Sequence, residues 1–185
     1  MTGRVLAQQW VSADGFVAGP DGDEGTLFAT VDAADFAASE VHNRALLGDA
    51  TEVLLGRRTY EIFRGFWPEA DDQPIADLVN GLPKTVFSTG LDEAPWGRFA
   101  PCRIARDAVA HASAHRTSGT GLAVVWGSIS IMHALLGAGQ LDELELLVAP
   151  AFLGTGTPLA GAARPLRRVD VQEWPGGTVR VRYAA

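Results

Sequence analysis

Short apolar runs alternate with segments of helical periodicity along the first three quarters of the chain, and this alternation most restricts the fold. Apolar runs at 53–55 and 122–126 each lead into a helical pattern, over 57–63 and from Gly127 onward. The same reasoning predicts strands at 4–12, 84–88 and 103–105, and helices at 32–47, 74–82 and 107–115. Strands alternating with helices in this way indicate a largely parallel α/β sheet.

The last quarter has a different pattern. Leu144, Leu146 and Val148 alternate with Glu143 and Glu145 at the start of this region, and apolar and polar residues alternate in two later segments, 168–172 and 179–183. Pro175-Gly176-Gly177 predicts a hairpin turn between these two segments. Strands with one polar face are typical of antiparallel pairing. The sequence therefore predicts a mostly parallel sheet finished by antiparallel strands. The turn-rich stretch 16–25 is predicted to be a loop.

Length and composition limit the number of domains and the class of partner. A chain of 185 residues with 47% hydrophobic side chains buries roughly 70% of its unfolded surface, enough for one core. We therefore expect a single domain, 1–185. The 15 basic and 22 acidic side chains give a net charge of −7, which argues against nucleic acid and anionic membranes as partners. The single cysteine, Cys102, is expected to be a packed thiol in a reducing cytoplasm.

The first strand-to-helix junction of functional interest is Gly56-Arg57-Arg58-Thr59. Two arginines in the first turn of a helix oppose its macrodipole, at about 0.3–1 kcal/mol each, unless an anion binds there. Guanidinium groups bind phosphate in a bidentate manner, and Thr59 adds a hydroxyl donor. In the alternative interpretation, both arginines point to solvent or pair with Glu61 or Glu69.

The second junction is Gly127-Ser128-Ile129-Ser130, where a helix begins without an acidic cap. Glycine and two hydroxyls allow backbone N–H groups to approach an anion closely. Ordinary capping by Ser128 is the alternative. Both junctions lie at the carboxyl edge of one predicted sheet, as binding of a phosphorylated dinucleotide requires, with pyrophosphate at the second and an added ribose phosphate at the arginines.

Two other patterns carry less functional weight. Gly154-Thr155-Gly156 begins like a dinucleotide fingerprint, but no helix follows it, so we predict a turn that brings the backbone close to another segment. His111 and His115 have a spacing that could bind a metal, yet no third ligand is suggested. We expect no metal and an exposed helix face.

Over nearly its whole length the chain resembles the dihydrofolate reductase-like family, and within it the reductase domain of the bifunctional riboflavin-biosynthesis deaminase/reductase in a stand-alone form. The resemblance rests on the order and spacing of several motifs. They are Ser12-Ala13-Asp14-Gly15-Phe16-Val17-Ala18-Gly19, Leu55-Gly56-Arg57-Arg58-Thr59-Tyr60-Glu61, Pro83-Lys84-Thr85-Val86-Phe87-Ser88, Val125-Trp126-Gly127-Ser128, Leu141-Asp142-Glu143-Leu144 and Pro150-Ala151-Phe152-Leu153-Gly154-Thr155-Gly156.

The resemblance implies a three-layer α/β sandwich and an NADPH-dependent reductase. Matched motif by motif, it places Arg57, Arg58 and Thr59 at the adenosine phosphates, Ser88 and Thr89 at the adenine, and Gly127, Ser128, Ile129 and Ser130 at the pyrophosphate. It also implies that Ala13 and Ala18 face the nicotinamide and that Asp14 approaches the substrate. The family commonly has Gly-Gly where this chain has Gly127-Ser128, which implies altered cofactor binding.

The residues for substrate and proton are less well defined. Asp32 and Asp35 lie near a helix start, where a carboxylate either supplies a proton or stabilises the helix electrostatically. Trp67 is a candidate to cover a flat heterocycle, and equally a core residue.

The leading hypothesis is an NADPH-dependent reductase of a small heterocyclic or carbonyl compound, pterin-like or flavin-precursor-like. The riboflavin step itself is less favoured, because the chain lacks the zinc signature of the partner deaminase. The alternative is a non-catalytic protein that sequesters NADPH or another small ligand on the same fold. The resemblance also implies a homodimer formed through the antiparallel edge.

Overall fold

The computed structural model describes residues 2–185, whose backbone contacts divide into two compact units. The first unit comprises the chain up to Ala7 together with Glu40–Asp142, and the second comprises Gln8–Ser39 together with Glu143–Ala185. The strands are β1 (Arg4–Ser12), β2 (Phe16–Ala18), β3 (Ala50–Gly56), β4 (Lys84–Phe87), β5 (Arg103–Ala105), β6 (Leu122–Trp126), β7 (Glu143–Ala149), β8 (Thr157–Pro158), β9 (Arg167–Glu173) and β10 (Val179–Ala184). The helices are α1 (Gly25–Phe28), α2 (Ala33–Gly48), α3 (Arg57–Arg64), α4 (Ala76–Gly81), α5 (Ala108–Ser118) and α6 (Ile129–Gly137), with a 3₁₀ turn at Trp67–Glu69.

The first unit contains the parallel part of the sheet. Its strand order is β5-β4-β3-β6-β1, and β3 pairs in parallel with both β4 and β6. All five residues of β6 are buried, as expected for a strand covered on both faces. The core of this unit is built around Tyr60, Trp96 and Trp126 with the apolar residues of β3 and β6.

The second unit contains the antiparallel part, with the strand order β1-β7-β10-β9. β10 pairs antiparallel with β7 on one side and with β9 on the other. Residues 175–177 form the hairpin between β9 and β10, closed by a hydrogen bond from the Gly177 N–H to the Trp174 carbonyl. The two pairing patterns together confirm the predicted fold class, a mostly parallel sheet with antiparallel strands at its C-terminal edge.

One predicted loop is partly wrong. The stretch 16–25 contains β2, which pairs antiparallel with β8, and its last residue begins α1. Gly156, beside β8, has φ +146°, and a Cβ at this position would lie 2.0 Å from the Ala18 carbonyl oxygen. The predicted close approach of the backbone at 154–156 is therefore confirmed. A strand of three residues that pairs with a partner about 140 positions away leaves no local sequence pattern.

The predicted exposed face at His111 and His115 is also wrong. The His111 Nε2 lies 2.9 Å from the Glu52 Oε2, and its ring packs edge-on against Phe87. The His115 Nε2 is buried. α5 therefore turns both imidazoles inward. Among residues 2–185 no group of three or more His, Cys, Asp and Glu is placed to hold a metal ion.

Cys102 is a packed thiol, as predicted. It is buried in the core of the first unit, and burial raises the pKa of its thiol to about 11. In the described part of the chain, every helix is too short or too polar to cross a bilayer.

Candidate cofactor cleft

A cleft of about 630 Å³ opens in the first unit, where β3 and β4 end and α3, α5 and α6 begin. Six of the residues predicted to bind the cofactor line it: Gly56, Arg57, Arg58, Ser88, Thr89 and Ser130. The other lining residues are Phe87, Gly90, Arg106, Asp107, Ala108, Val109, Ile131 and Ala134.

Strand register explains why these residues meet. Gly56 at the end of β3 is paired with Phe87 at the end of β4, and Phe87 is paired with Ala105 at the end of β5. The residues that immediately follow, Arg57, Ser88 and Arg106, therefore leave the sheet side by side. The carboxyl ends of parallel strands form the usual ligand-binding edge of an open α/β sheet.

Two hydrogen bonds join the junctions before α3 and α6. The Gly56 N–H donates to the Ser128 Oγ at 2.9 Å, and the Thr59 Oγ1 donates to the Gly127 carbonyl at 3.1 Å. Both Thr59 and Ser128 are buried. Gly127 has φ +65°, a left-handed conformation that glycine adopts without strain. These two hydroxyls therefore position the cleft walls and do not line the cleft.

The helices at the cleft begin in two different ways. Ser128 occupies the N-cap position of α6, yet neither its side chain nor any other among the described residues caps α6 or α3. In contrast, the Asp107 carboxylate caps α5 by accepting the Ala110 N–H at 2.9 Å. Neither α3 nor α6 therefore has the side-chain cap that Asp107 gives to α5.

The two predicted arginines lie at the mouth of the cleft and are exposed. The Arg57 Nε donates to the Glu61 Oε1 at 2.8 Å, so the predicted alternative of pairing with Glu61 is realised. The side chains of Arg57 and Glu61 are 59% and 44% exposed, and ion pairs this exposed contribute about 0–1 kcal/mol. The Arg57 Nη1 reaches the loop after β4, because a Cβ on Gly90 would lie 3.9 Å from it.

Arg106 is a third arginine at the cleft that sequence reasoning missed. Its Nη1 donates to the Ser88 carbonyl, and its Nη2 lies 3.7 Å from the Asp92 Oδ1. The Ser88 Oγ accepts the N–H groups of Gly90 and Leu91 at 3.2 Å each, which fixes the turn after β4. Register between β4 and β5 is the signal that identifies Arg106.

Not every residue predicted at the cofactor lies in this cleft. Gly127 and Ile129 are half-buried beside the start of α6 and do not line the cleft. Ala13 and Ala18 belong to the second unit. There the Ala13 N–H donates to the Ala151 carbonyl at 2.8 Å, and Ala18 is paired with Thr157.

Asp14 lies in the second unit, between β1 and β2. Its carboxylate accepts the Ser12 Oγ hydroxyl at 2.6 Å and the backbone N–H groups of Leu153 and Gly154 at 3.1 and 2.7 Å. The hydrogen bond from Ser12, with smaller contributions from the two N–H groups, lowers the pKa of Asp14 below its usual value. Asp14 thereby ties the end of β1 to the loop after β7.

Asp35 is fully buried, and both of its carboxylate oxygens accept backbone N–H groups of the β9–β10 hairpin. The donors are Gly176 at 2.6 Å and Thr178 at 2.8 Å. Burial alone would raise the pKa of Asp35, but the hydrogen bonds from Thr178 and Gly176 together outweigh it, so this pKa is lowered. Asp32 is exposed, and its Oδ1 accepts the Ala34 N–H at 2.7 Å at the start of α2.

Trp67 packs on the core of the first unit. Its ring stacks on Trp126 at 5.6 Å between centroids and meets Phe63 edge-on at 6.3 Å. The predicted alternative of a core residue matches this packing, and the side chain is half-buried.

Comparison with known proteins agrees with the fold. The sequence model of the RibD C-terminal domain matches residues 4–179. Among curated proteins, the uncharacterized protein YyaP of Bacillus subtilis (strain 168) is 22% identical over 190 residues, with 97% of this chain and 94% of that protein covered.

Solved structures share this architecture at low sequence identity. A putative riboflavin biosynthesis protein from Shewanella sp. PV-4 is 18% identical with a TM-score of 0.72, and 98% of each chain is covered. The diaminohydroxyphosphoribosylaminopyrimidine deaminase/5-amino-6-(5-phosphoribosylamino)uracil reductase of Thermotoga maritima is 14% identical with a TM-score of 0.65 over 99% of this chain and 56% of that one. A pyrimidine reductase-like protein from Corynebacterium diphtheriae is 14% identical with a TM-score of 0.61 over 98% and 91% of the two chains. These likenesses confirm the predicted fold.

Proposed function

The chain belongs to the RibD C-terminal domain family, and from this premise we propose that it is an NADPH-dependent reductase of a small heterocyclic or carbonyl compound. One observation carries the proposal. Three arginines and two uncapped helix starts converge on one cleft in an otherwise acidic protein. Such a donor set fits a ligand with several phosphate groups.

The residues of the cleft suit the adenosine half of NADPH. In the proposal, Arg57, Arg58 and Arg106 bind the phosphate on the ribose, and the N–H groups at the start of α6 bind the pyrophosphate. Ser88 and Thr89 lie on the adenine side. Ser128 and Thr59 act as positioning residues, because their hydrogen bonds hold the two helix starts in register.

When bound, NADPH supplies the hydride. The contribution of this chain is to hold the nicotinamide and the substrate in a fixed relative geometry. Asp14 and Asp35 are poor proton donors, because each carboxylate accepts backbone N–H groups that stabilise its ionised form. We therefore assign the proton to solvent water.

Titration with NADPH tests the proposal, followed through quenching of tryptophan fluorescence. Saturable binding is expected, followed by loss of nicotinamide absorbance when a panel of pterin-like and flavin-precursor-like compounds is added. A protein that does not bind NADPH contradicts the proposal.

A non-catalytic binding protein is the second candidate, and the same two carboxylates favour it. Both are committed to backbone N–H groups, so neither is poised as a general acid. Saturable NADPH binding without turnover across the panel would support this candidate over the reductase.

We also propose a homodimer formed through the antiparallel edge. All seven residues of β9 are exposed, and Val169 and Val171 are 48% and 46% exposed. An unpaired edge strand with apolar side chains is a ready surface for a second copy of the chain. Light scattering at micromolar concentration should give a dimer, and Val171→Lys should give a monomer. A wild-type monomer contradicts this assignment.

A further inference from the structure

Four aromatic rings from four elements of the second unit form one cluster, made of Trp10, Phe28, Phe36 and Trp174. The Trp10 ring lies at its centre, with its centroid 6.1 Å from Phe28, 6.0 Å from Phe36 and 6.1 Å from Trp174. Phe28 and Phe36 also meet each other at 6.1 Å. Most of these contacts are edge-to-face, the geometry that aromatic quadrupoles favour.

The aromatic cluster is open to solvent on one side. Trp174 is only 5% exposed and packs against Trp10 on the buried side of the cluster. In contrast, Phe36 is 36% exposed, and Trp10 and Phe28 are half-buried. Leu27 and Val31 pack behind Trp10 and are buried. A rigid, partly exposed group of rings on an apolar base is suited to contact a flat aromatic ligand.

The charged side chains in the segment that supplies most of the aromatic cluster have a single sign. Three of its four rings lie in residues 8–39, a segment with six carboxylates and no Lys, Arg or His. Asp32 stands one helical turn before Phe36 and is exposed, so its carboxylate shares the helix face with that ring.

The basic side chains of the second unit are engaged or distant. Arg180 pairs with Glu145 and Asp170, and Arg182 pairs with Glu143 and Glu145. Arg167 and Arg168 lie on β9, three strands from β1 in the strand order of this unit. With about 4.8 Å between neighbouring strands, β9 lies about 14 Å from β1, the strand that carries Trp10. Arg164 precedes β9 in the sequence.

We propose that the aromatic cluster binds the ring of the substrate and that this substrate is a flat heteroaromatic compound without a phosphate group. The inference rests on the proposed reductase function and adds the substrate class. A phosphate beside Phe36 would meet the Asp32 carboxylate, and segment 8–39 offers it no Lys, Arg or His, so this segment discriminates against phosphate by charge. The Thermotoga maritima relative, in contrast, is named for a phosphoribosylamino substrate.

A matched pair of probes tests the inference: 2-aminopurine riboside and its 5′-monophosphate. Both carry a fluorescent flat ring that stacking on aromatic side chains quenches, and they differ only in the phosphate. The titrations are made on the full chain with saturating NADP⁺, so that the arginine cleft is already filled. The riboside should bind saturably, and the monophosphate about tenfold more weakly.

Four variants locate the binding. Phe36→Ala should weaken the riboside about fivefold or more, because it removes one exposed stacking ring. Phe152→Ala is the matched control, since Phe152 is 79% exposed in the same unit and lies outside the aromatic cluster. Ala33→Arg places a cation one turn before Phe36 and should strengthen the monophosphate alone, whereas Ala33→Gln should not.

Several results would overturn the inference. They are no binding of the riboside, equal or tighter binding of the monophosphate to the wild-type chain, or unchanged riboside affinity in Phe36→Ala. These outcomes are separable from failure of the reductase proposal, because NADPH binding is measured independently on the same preparation.

Discussion

The arginine cleft of the first unit and the aromatic cluster of the second differ most clearly in charge. Arg57, Arg58 and Arg106 line the cleft, where the single carboxylate, on Asp107, is engaged as a helix cap. The segment that supplies three rings of the aromatic cluster has six carboxylates and no basic residue. A net charge of −7 therefore conceals an arginine-lined cleft and a segment rich in carboxylates.

The two regions also use their polar groups differently. In the cleft, the buried hydroxyls of Ser128 and Thr59 bind backbone groups of the two junctions, while Arg57 and Arg58 are exposed. In the second unit, the carboxylates of Asp14 and Asp35 have a structural role, because both accept hydrogen bonds from backbone N–H groups. A carboxylate near a predicted active site is thus no guide to catalysis until its hydrogen-bond partners are known.

The largest expected effect concerns the two arginines predicted from sequence. Arg57→Ala combined with Arg58→Ala should weaken NADPH about hundredfold and NADH only a few-fold, because both guanidinium groups are assigned to the ribose phosphate. Titration calorimetry on both nucleotides measures the difference. Arg64→Ala, at the far end of the same helix, is the matched control and should alter neither affinity. Equal losses for the two nucleotides would contradict the assignment.

Asp35→Asn tests whether carboxylates of the second unit are structural. The amide keeps one acceptor and places an NH₂ group against a backbone N–H, which should lower the free energy of unfolding by about 2 kcal/mol. Urea denaturation measures this, with Asp32→Asn as the exposed control that should change little, since Asn also caps helices.

The same variant should also change how the free energy of unfolding depends on pH. The folded-state pKa of Asp35 is lowered, so its contribution to stability is present above the usual carboxyl pKa and is lost as the pH falls through the folded value. Asp35→Asn should therefore reduce the loss of stability in acid. An unchanged acid profile would show that Asp35 contributes no such linkage.

Ser128→Ala probes the link between the two helix starts of the cleft. The variant leaves the buried Gly56 N–H without its partner and should cost about 1–2 kcal/mol, with a matching loss of NADPH affinity. Ser130→Ala, an exposed hydroxyl on the cleft itself, should leave the free energy of unfolding unchanged. If the two variants behave alike in urea denaturation, Ser128 is not a positioning residue.

The smallest expected effect belongs to Arg106. Its guanidinium already donates to the Ser88 carbonyl, so Arg106→Ala should weaken NADPH only about fivefold, again with little effect on NADH. Arg103→Ala, at the start of β5 and outside the cleft, is the control. A hundredfold loss would instead make Arg106 the principal phosphate ligand.

Sequence reasoning reached the cleft because strand ends and helix starts are local features. Residue type and position, directly after an apolar run, are enough to identify Arg57, Arg58 and Gly127 as candidates. The partners of Ser128 and Thr59 are long-range, 72 and 68 positions away, so their hydroxyls were assigned to a ligand and not to the fold. Arg106 required strand register, which periodicity does not provide.

The aromatic cluster was less accessible from sequence for the same reason. The cluster residues are spread over four elements, and their convergence depends on how β1, α1, α2 and the hairpin after β9 pack. Trp67, for which the sequence left a heterocycle contact and a core role equally open, stacks on Trp126. Local residue spacing predicts sites that lie on one helix or turn. It does not predict clusters whose members come together only through tertiary packing.

The central claim, that the arginine cleft recognises a phosphate on the ribose of NADPH, is tested most directly with fragments of the cofactor. Adenosine 2′,5′-bisphosphate and adenosine 5′-monophosphate are titrated separately into the wild-type chain by calorimetry. The account predicts that the bisphosphate binds at least about tenfold more tightly, and that Arg57→Ala with Arg58→Ala abolishes the preference. Equal affinity of the two fragments for the wild-type chain would contradict it.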